Sequence, residues 1–132
     1  MRVFIKLIVI LWASPYSLLG LAIACTGLCF GAKIRVRDGA VEGYGGLTAW
    51  AVRRLPTGPN TAGITLGHVI LGQTDEGLRA VGLHERVHIR QFERWGFFMG
   101  PAYLLSSAWM FVCGRDPYLD NPFEVEAYRI AP

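Results

Sequence analysis

The chain has 132 residues, enough for one domain with one modest core. Its formal net charge is +3, with basic residues scattered among acidic ones, which argues against a nucleic-acid-binding domain with a basic face. Hydrophobic residues make up 52% of the chain and charged residues 17%, and the apolar share is concentrated in Val3–Phe30 and Trp95–Cys113.

Val3–Phe30 is apolar apart from Lys6 and a few small polar residues. It is long enough to cross a bilayer, which takes about 20 residues. Ser14-Pro15 interrupts it, because proline lacks a backbone donor and disfavours helix at the residue before it. Two forms remain open: one kinked span, or a helical hairpin of Val3–Ala13 and Tyr16–Phe30. Arg2 and Lys6 ahead of an apolar run also resemble a signal peptide, and Leu21-Ala22-Ile23-Ala24-Cys25 loosely fits a lipoprotein cleavage site. The chain stays apolar past Cys25 to Phe30, where a mature N-terminus turns polar, so a retained membrane anchor over residues 1–31 is expected. Lys33, Arg35 and Arg37 follow the run, while Arg2 and Lys6 precede it. The positive-inside rule then places residues 32–132 in the cytoplasm, and a hairpin gives the same answer. The expectation is a bacterial inner-membrane protein in contact with membrane lipid. Cys25, Cys29 and Cys113 make no disulfide framework and read as small packing residues.

Ala32–Tyr44 reads as a β-hairpin, with Ile34, Val36 and Val41 alternating with charged residues and Asp38-Gly39 at the turn. Leu47–Leu55 is a weak strand candidate, and Pro56–Gly63 is a loop. Ile64–Leu71, rich in β-branched residues, reads as one short buried strand containing His68. His68 is either a hydrogen-bonded, partly buried histidine or part of an edge on which an extended peptide adds a strand.

Thr74-Asp75-Glu76 opens a helix that runs to about Trp95, with Thr74 as cap and two acids complementing the helix dipole. It carries His84-Glu85-Arg86-Val87-His88, an H-E-x-x-H motif. Residues four apart lie one turn apart on one face, so both imidazoles can bind one Zn²⁺ at about 2 Å. Glu85, beside the first ligand, can take a proton from zinc-bound water without itself being a ligand. Gln91 continues this face as a hydrogen-bond partner or a polar residue at its edge. Arg86, Arg90 and Arg94 form a second stripe, either a solvated face or a contact for lipid headgroups.

Downstream, Asn121 and Pro122 fit the Ncap and N1 positions of a last helix. Glu124 then either closes a capping box or serves as third zinc ligand, with Glu126 in reserve. Gly100-Pro101 breaks the second apolar run and leaves Ala102–Cys113 too short to cross a bilayer of about 30 Å. A helix of that length folding back on the metal helix returns Glu124 to the level of His84. Tyr103, Tyr118 and Tyr128 are candidate oxyanion donors.

H-E-x-x-H followed by Glu124-Val125-Glu126-Ala127 resembles the gluzincin metallopeptidases, closest to the integral-membrane zinc endopeptidases of the prenyl-protein-processing and heat-shock type. The resemblance covers about a third of the chain and implies Glu124 as third ligand. The family pattern ends in an Asp where this chain has Tyr128.

The sequence therefore predicts an α+β fold. A membrane helix or helical hairpin (residues 1–31) precedes a minimal gluzincin-like domain (residues 32–132) with a small antiparallel sheet, the zinc-site helix, a fold-back apolar helix and a short C-terminal helix. The expected function is zinc-dependent hydrolysis of peptide bonds in a peptide or protein substrate. His84, His88 and Glu124 hold the metal and Glu85 acts as base. Two other classes stay open: a non-catalytic membrane protein with a structural metal, and a metal-free interaction or scaffold protein.

Overall fold

A computed structural model describes residues 1–132. The first element, α1, is one uninterrupted helix over Arg2–Leu28 with Pro15 inside it, so the helical hairpin does not occur. The missing Pro15 donor would have bonded the Leu11 carbonyl, and the Ser14 hydroxyl donates to that oxygen instead at 2.7 Å. A stripe of small residues, Ala13, Gly20, Ala24 and Gly27, forms the buried face of the helix. At Gly20 an added Cβ would stand 2.7 Å from Cβ of Val69, so glycine permits the close approach of helix and sheet.

A four-stranded sheet follows. β1 (Lys33–Arg37) and β2 (Ala40–Tyr44) form the expected hairpin, with Asp38 and Gly39 at φ 49° and 78° as a type I′ turn demands. The segment read as one strand, Ile64–Leu71, is instead a second hairpin of β3 (Gly63–Leu66) and β4 (Val69–Gly72). Gly67, at φ 61°, turns the chain there and puts His68 in the turn. Strand order is β1-β2-β4-β3, and β2 pairs with β4 in parallel, so the sheet is mixed where an antiparallel one was expected.

Leu47–Leu55, the weak strand candidate, is instead largely helical, within and just beyond α2 (Gly46–Arg53). Gly45 and Gly46 both have positive φ and turn the chain out of β2, after which Thr48, Ala49 and Val52 share one buried helical face. Helix α3 spans Asp75–Trp95, and the Thr74 hydroxyl accepts from the Gly77 N–H as its cap. The sheet lies between α1 and α3. Val69 and Leu71 of β4 pack with Ala24 on the α1 side, whereas Ile70 packs with Leu78 and Ile89 of α3.

The second apolar run breaks earlier than Gly100-Pro101. Gly96, at φ 55°, stops α3, a single 3₁₀ turn covers Gly96–Phe98, and α4 runs over Met99–Val112 with Pro101 tolerated in its first turn. Trp12 of α1 lies against Gly96, where a side chain would collide with its indole. Helix α5 (Pro122–Ile130) closes the fold, capped by the Asn121 side chain, which accepts from the Phe123 N–H at 3.0 Å.

Candidate metal centre

Three buried side chains from two helices converge at one point. His84 and His88 sit one turn apart on α3, and Glu124 projects from the first turn of α5. Nε2 of His84 lies 3.1 Å from Glu124 Oε2 and 3.3 Å from Nε2 of His88, and His88 Nε2 lies 3.3 Å from the same Glu124 oxygen. Ligand atoms held about 2 Å from a tetrahedral ion stand about 3.3 Å apart, so this triangle fits one small divalent cation. Two imidazole nitrogens and a carboxylate oxygen thus form a buried donor set that could hold a metal ion.

The hydrogen bonding behind His88 supports that fit. The Phe123 carbonyl can only accept, so the Gln91 amide must point its Nε2 there, at 2.9 Å. That orientation turns Gln91 Oε1 toward His88 Nδ1, at 2.8 Å, and an oxygen there requires the proton on Nδ1. In the neutral form of His88 the lone pair is then on Nε2, facing the centre. Gln91 is fully buried and ties α3 to the start of α5. His84 has no comparable support: its buried Nδ1 meets no protein partner, and the Tyr128 ring lies over the imidazole at 4.4 Å between centroids.

Glu124 does not close a capping box. Its second oxygen, Oε1, accepts from the Tyr103 hydroxyl at 2.8 Å, while Oε2 faces the histidines. Burial works to raise its carboxyl pKa, but hydrogen bonds from His84, His88 and Tyr103 outweigh burial and hold it at about 2. Burial likewise disfavours a charged His88, but Glu124 outweighs it and raises the imidazole above its ordinary value.

Glu85 is buried beside the cluster without joining it. Its Oε2 accepts from the Thr65 hydroxyl of β3 at 2.6 Å. Burial raises its pKa, with His88 and Thr65 pulling the other way.

The cluster opens into a mostly apolar cleft of about 500 Å³. Glu85, His88 and Glu124 lie in its lining, to which β3 and, through Tyr103 and Ser107, α4 also contribute. Because β3 ends the sheet, its outer edge has no strand partner. Tyr118 also lines the cleft, while Tyr103 is committed to Glu124.

Other residues singled out in the sequence lie elsewhere. Glu126 pairs with Arg94 at 3.5 Å, outside the cluster. His68 binds Glu93 at 3.0 Å through Nε2, and its backbone N–H donates to Ser17 of α1. The arginine stripe divides: Arg90 is exposed, whereas Arg86 turns inward and donates to the Arg37 carbonyl and to Glu42. Thr65 was invisible as a site residue, since only folding brings it to Glu85. No family model, no curated protein and no solved structure matches the chain.

Proposed function

We propose that this chain is a membrane-anchored zinc-dependent hydrolase of peptide bonds, with His84, His88 and Glu124 holding the metal and Glu85 as the proton carrier. The observation that carries the reading is the 3.1–3.3 Å triangle of ligand atoms with a buried, non-ligating carboxyl beside it in an open cleft. Zinc bound there would supply a Lewis acid that polarises a carbonyl and makes water nucleophilic near neutral pH.

The residues of the chain do the rest. Glu85 accepts a proton from the attacking water and returns it to the departing amine, with Thr65 fixing one of its oxygens. The free edge of β3 offers backbone donors and acceptors to an extended peptide, which favours a peptide over a compact substrate. The resemblance to gluzincins agrees with this set. The apolar helix α1, 27 residues long, serves as the membrane anchor.

A structural metal site is the competing reading, and Glu85→Gln separates the two. The hydrolase reading expects peptide cleavage to fall about 10²–10⁴-fold with zinc content unchanged. No cleavage by either protein over a broad peptide library would favour the structural reading, and equal cleavage by both would contradict Glu85 as the proton carrier.

A further inference from the structure

We propose that lipid hydrocarbon covers the 3₁₀ turn Gly96–Phe98 and the outer face of α4 as well as α1, so that one wall of the metal-site cleft is a lipid-facing helix. The inference rests on α1 crossing a bilayer, which belongs to the proposed function, and it adds a second membrane-embedded element.

The argument begins with where α1 meets the rest of the molecule. Arg2 and Lys6 mark one boundary of its apolar stretch, and no charged residue follows until Lys33. Trp12 already meets Phe98 edge-on at 5.9 Å between ring centroids, and Ala13 is fully buried. Crossing about 30 Å of hydrocarbon takes about 20 helical residues. Counted from either basic residue, the crossing extends well past Trp12 and Tyr16. At that level the Tyr16 hydroxyl donates to the Phe97 carbonyl at 2.6 Å and accepts the Gly100 N–H at 3.0 Å. A bilayer around this part of α1 therefore also reaches the 3₁₀ turn and the start of α4, whereas from Ser17 to Gly27 the inner face of α1 is covered by His68, Val69, Gly43 and Thr48. Close by, His68 and Glu93 are paired with each other, and His68 is also bonded to Ser17, while the exposed Arg94 stands two residues before Gly96.

The composition of α4 fits the same surroundings. No charged residue occurs between Arg94 and Arg115. Helix α4 is as apolar as α1 and has no polar face, unlike a helix that rests at the lipid–water boundary. Leu105, Trp109, Phe111 and Val112 are each more than half exposed, as are Phe97 and Phe98, the latter against Trp12. Such a continuous apolar surface is more than a water-soluble monomer ordinarily exposes. At about 21 Å, α4 is too short to cross, so it enters the bilayer without spanning it.

Tryptophan quenching tests this in the full chain, reconstituted in phosphatidylcholine–phosphatidylglycerol vesicles. One variant keeps only Trp109 (Trp12→Phe, Trp50→Phe, Trp95→Phe) and a second keeps only Trp12. Lipids brominated on the acyl chains are expected to remove most of the emission in both variants, with aqueous iodide having little effect. Trp12 quenched by bromolipid with Trp109 quenched only by iodide would overturn the inference while leaving the anchor intact. Trp109 shielded from both quenchers would overturn it in favour of a protein partner or a second copy. Failure to quench Trp12 by bromolipid would remove the anchor and this inference together. None of these readouts involves metal, so the zinc assignment stands or falls separately. If the triple variant loses its cooperative melt, a nitroxide on Leu105→Cys, with Cys25, Cys29 and Cys113 changed to Ser, reports the same environment. There, collisions with oxygen exceeding those with a water-soluble nickel chelate support the inference, and the reverse overturns it.

Discussion

Gln91 Oε1 lies 2.8 Å from Nδ1 of His88, and the other end of the same amide holds the Phe123 carbonyl, one residue before Glu124. One buried side chain thus fixes the tautomer of one candidate ligand and the position of the helix that carries another. Gln91→Leu keeps the size and removes both bonds. Loss of such an outer partner typically costs about 10–100-fold in metal affinity. Zinc titration against a competing chelator should show a drop of that order, with the metal-free variant also melting earlier. Unchanged affinity would mean that the His88 tautomer is set by something else.

A second buried group holds the opposite side of α3. Glu42 of β2 is fully buried and bonded to Arg35 at 2.6 Å, with Arg37 and Arg86 each at 3.2 Å. Burial pushes its carboxyl pKa up, but Arg35, Arg86 and Arg37 outweigh burial and lower it. The folded state thus favours ionised Glu42. That stabilisation is present above the unfolded carboxyl pKa and is lost as pH falls through the depressed folded value. Glu42→Gln leaves the arginines without their buried partner and should cost about 3–5 kcal/mol near pH 7. The gap between wild type and variant in thermal melts should narrow on acidification. A gap independent of pH would contradict this role.

The contact of α1 with the sheet rests on Gly20. Gly20→Val forces extra methyl groups against Val69 and should destabilise the protein by about 1–3 kcal/mol. Leu19→Val, on the exposed face of the same helix, should change the melt little. Equal effects at the two positions would show that α1 does not pack on the sheet as described.

The site was far more legible than the sheet. His84, Glu85 and His88 could be read because helical spacing alone places them on adjoining faces, and Asn121-Pro122 marked the helix that delivers Glu124. Fold-back of the second apolar run was also readable, although Gly96 makes the turn instead of Gly100-Pro101. Other features depended on tertiary contact. Ala49 and Ala51 favour helix in their own right, and burial of Thr48, Ala49 and Val52 against α1 and the sheet fixes α2. Gly67 inside a β-branched run gave only a faint turn signal. Thr65 reaches Glu85 across a hairpin and a helix, a meeting that no local pattern encodes. Tyr128 packs on His84, while Gln91 supports the other histidine from its own helix.

The most direct test of the account is zinc content of the purified full-length chain, measured by mass spectrometry alongside His84→Ala, His88→Ala and Glu124→Ala. The account predicts close to one zinc per chain in the wild type, lost in each variant, with folding of the variants checked by circular dichroism. Zinc well below one per wild-type chain after reconstitution, or full retention by folded Glu124→Ala, would contradict it.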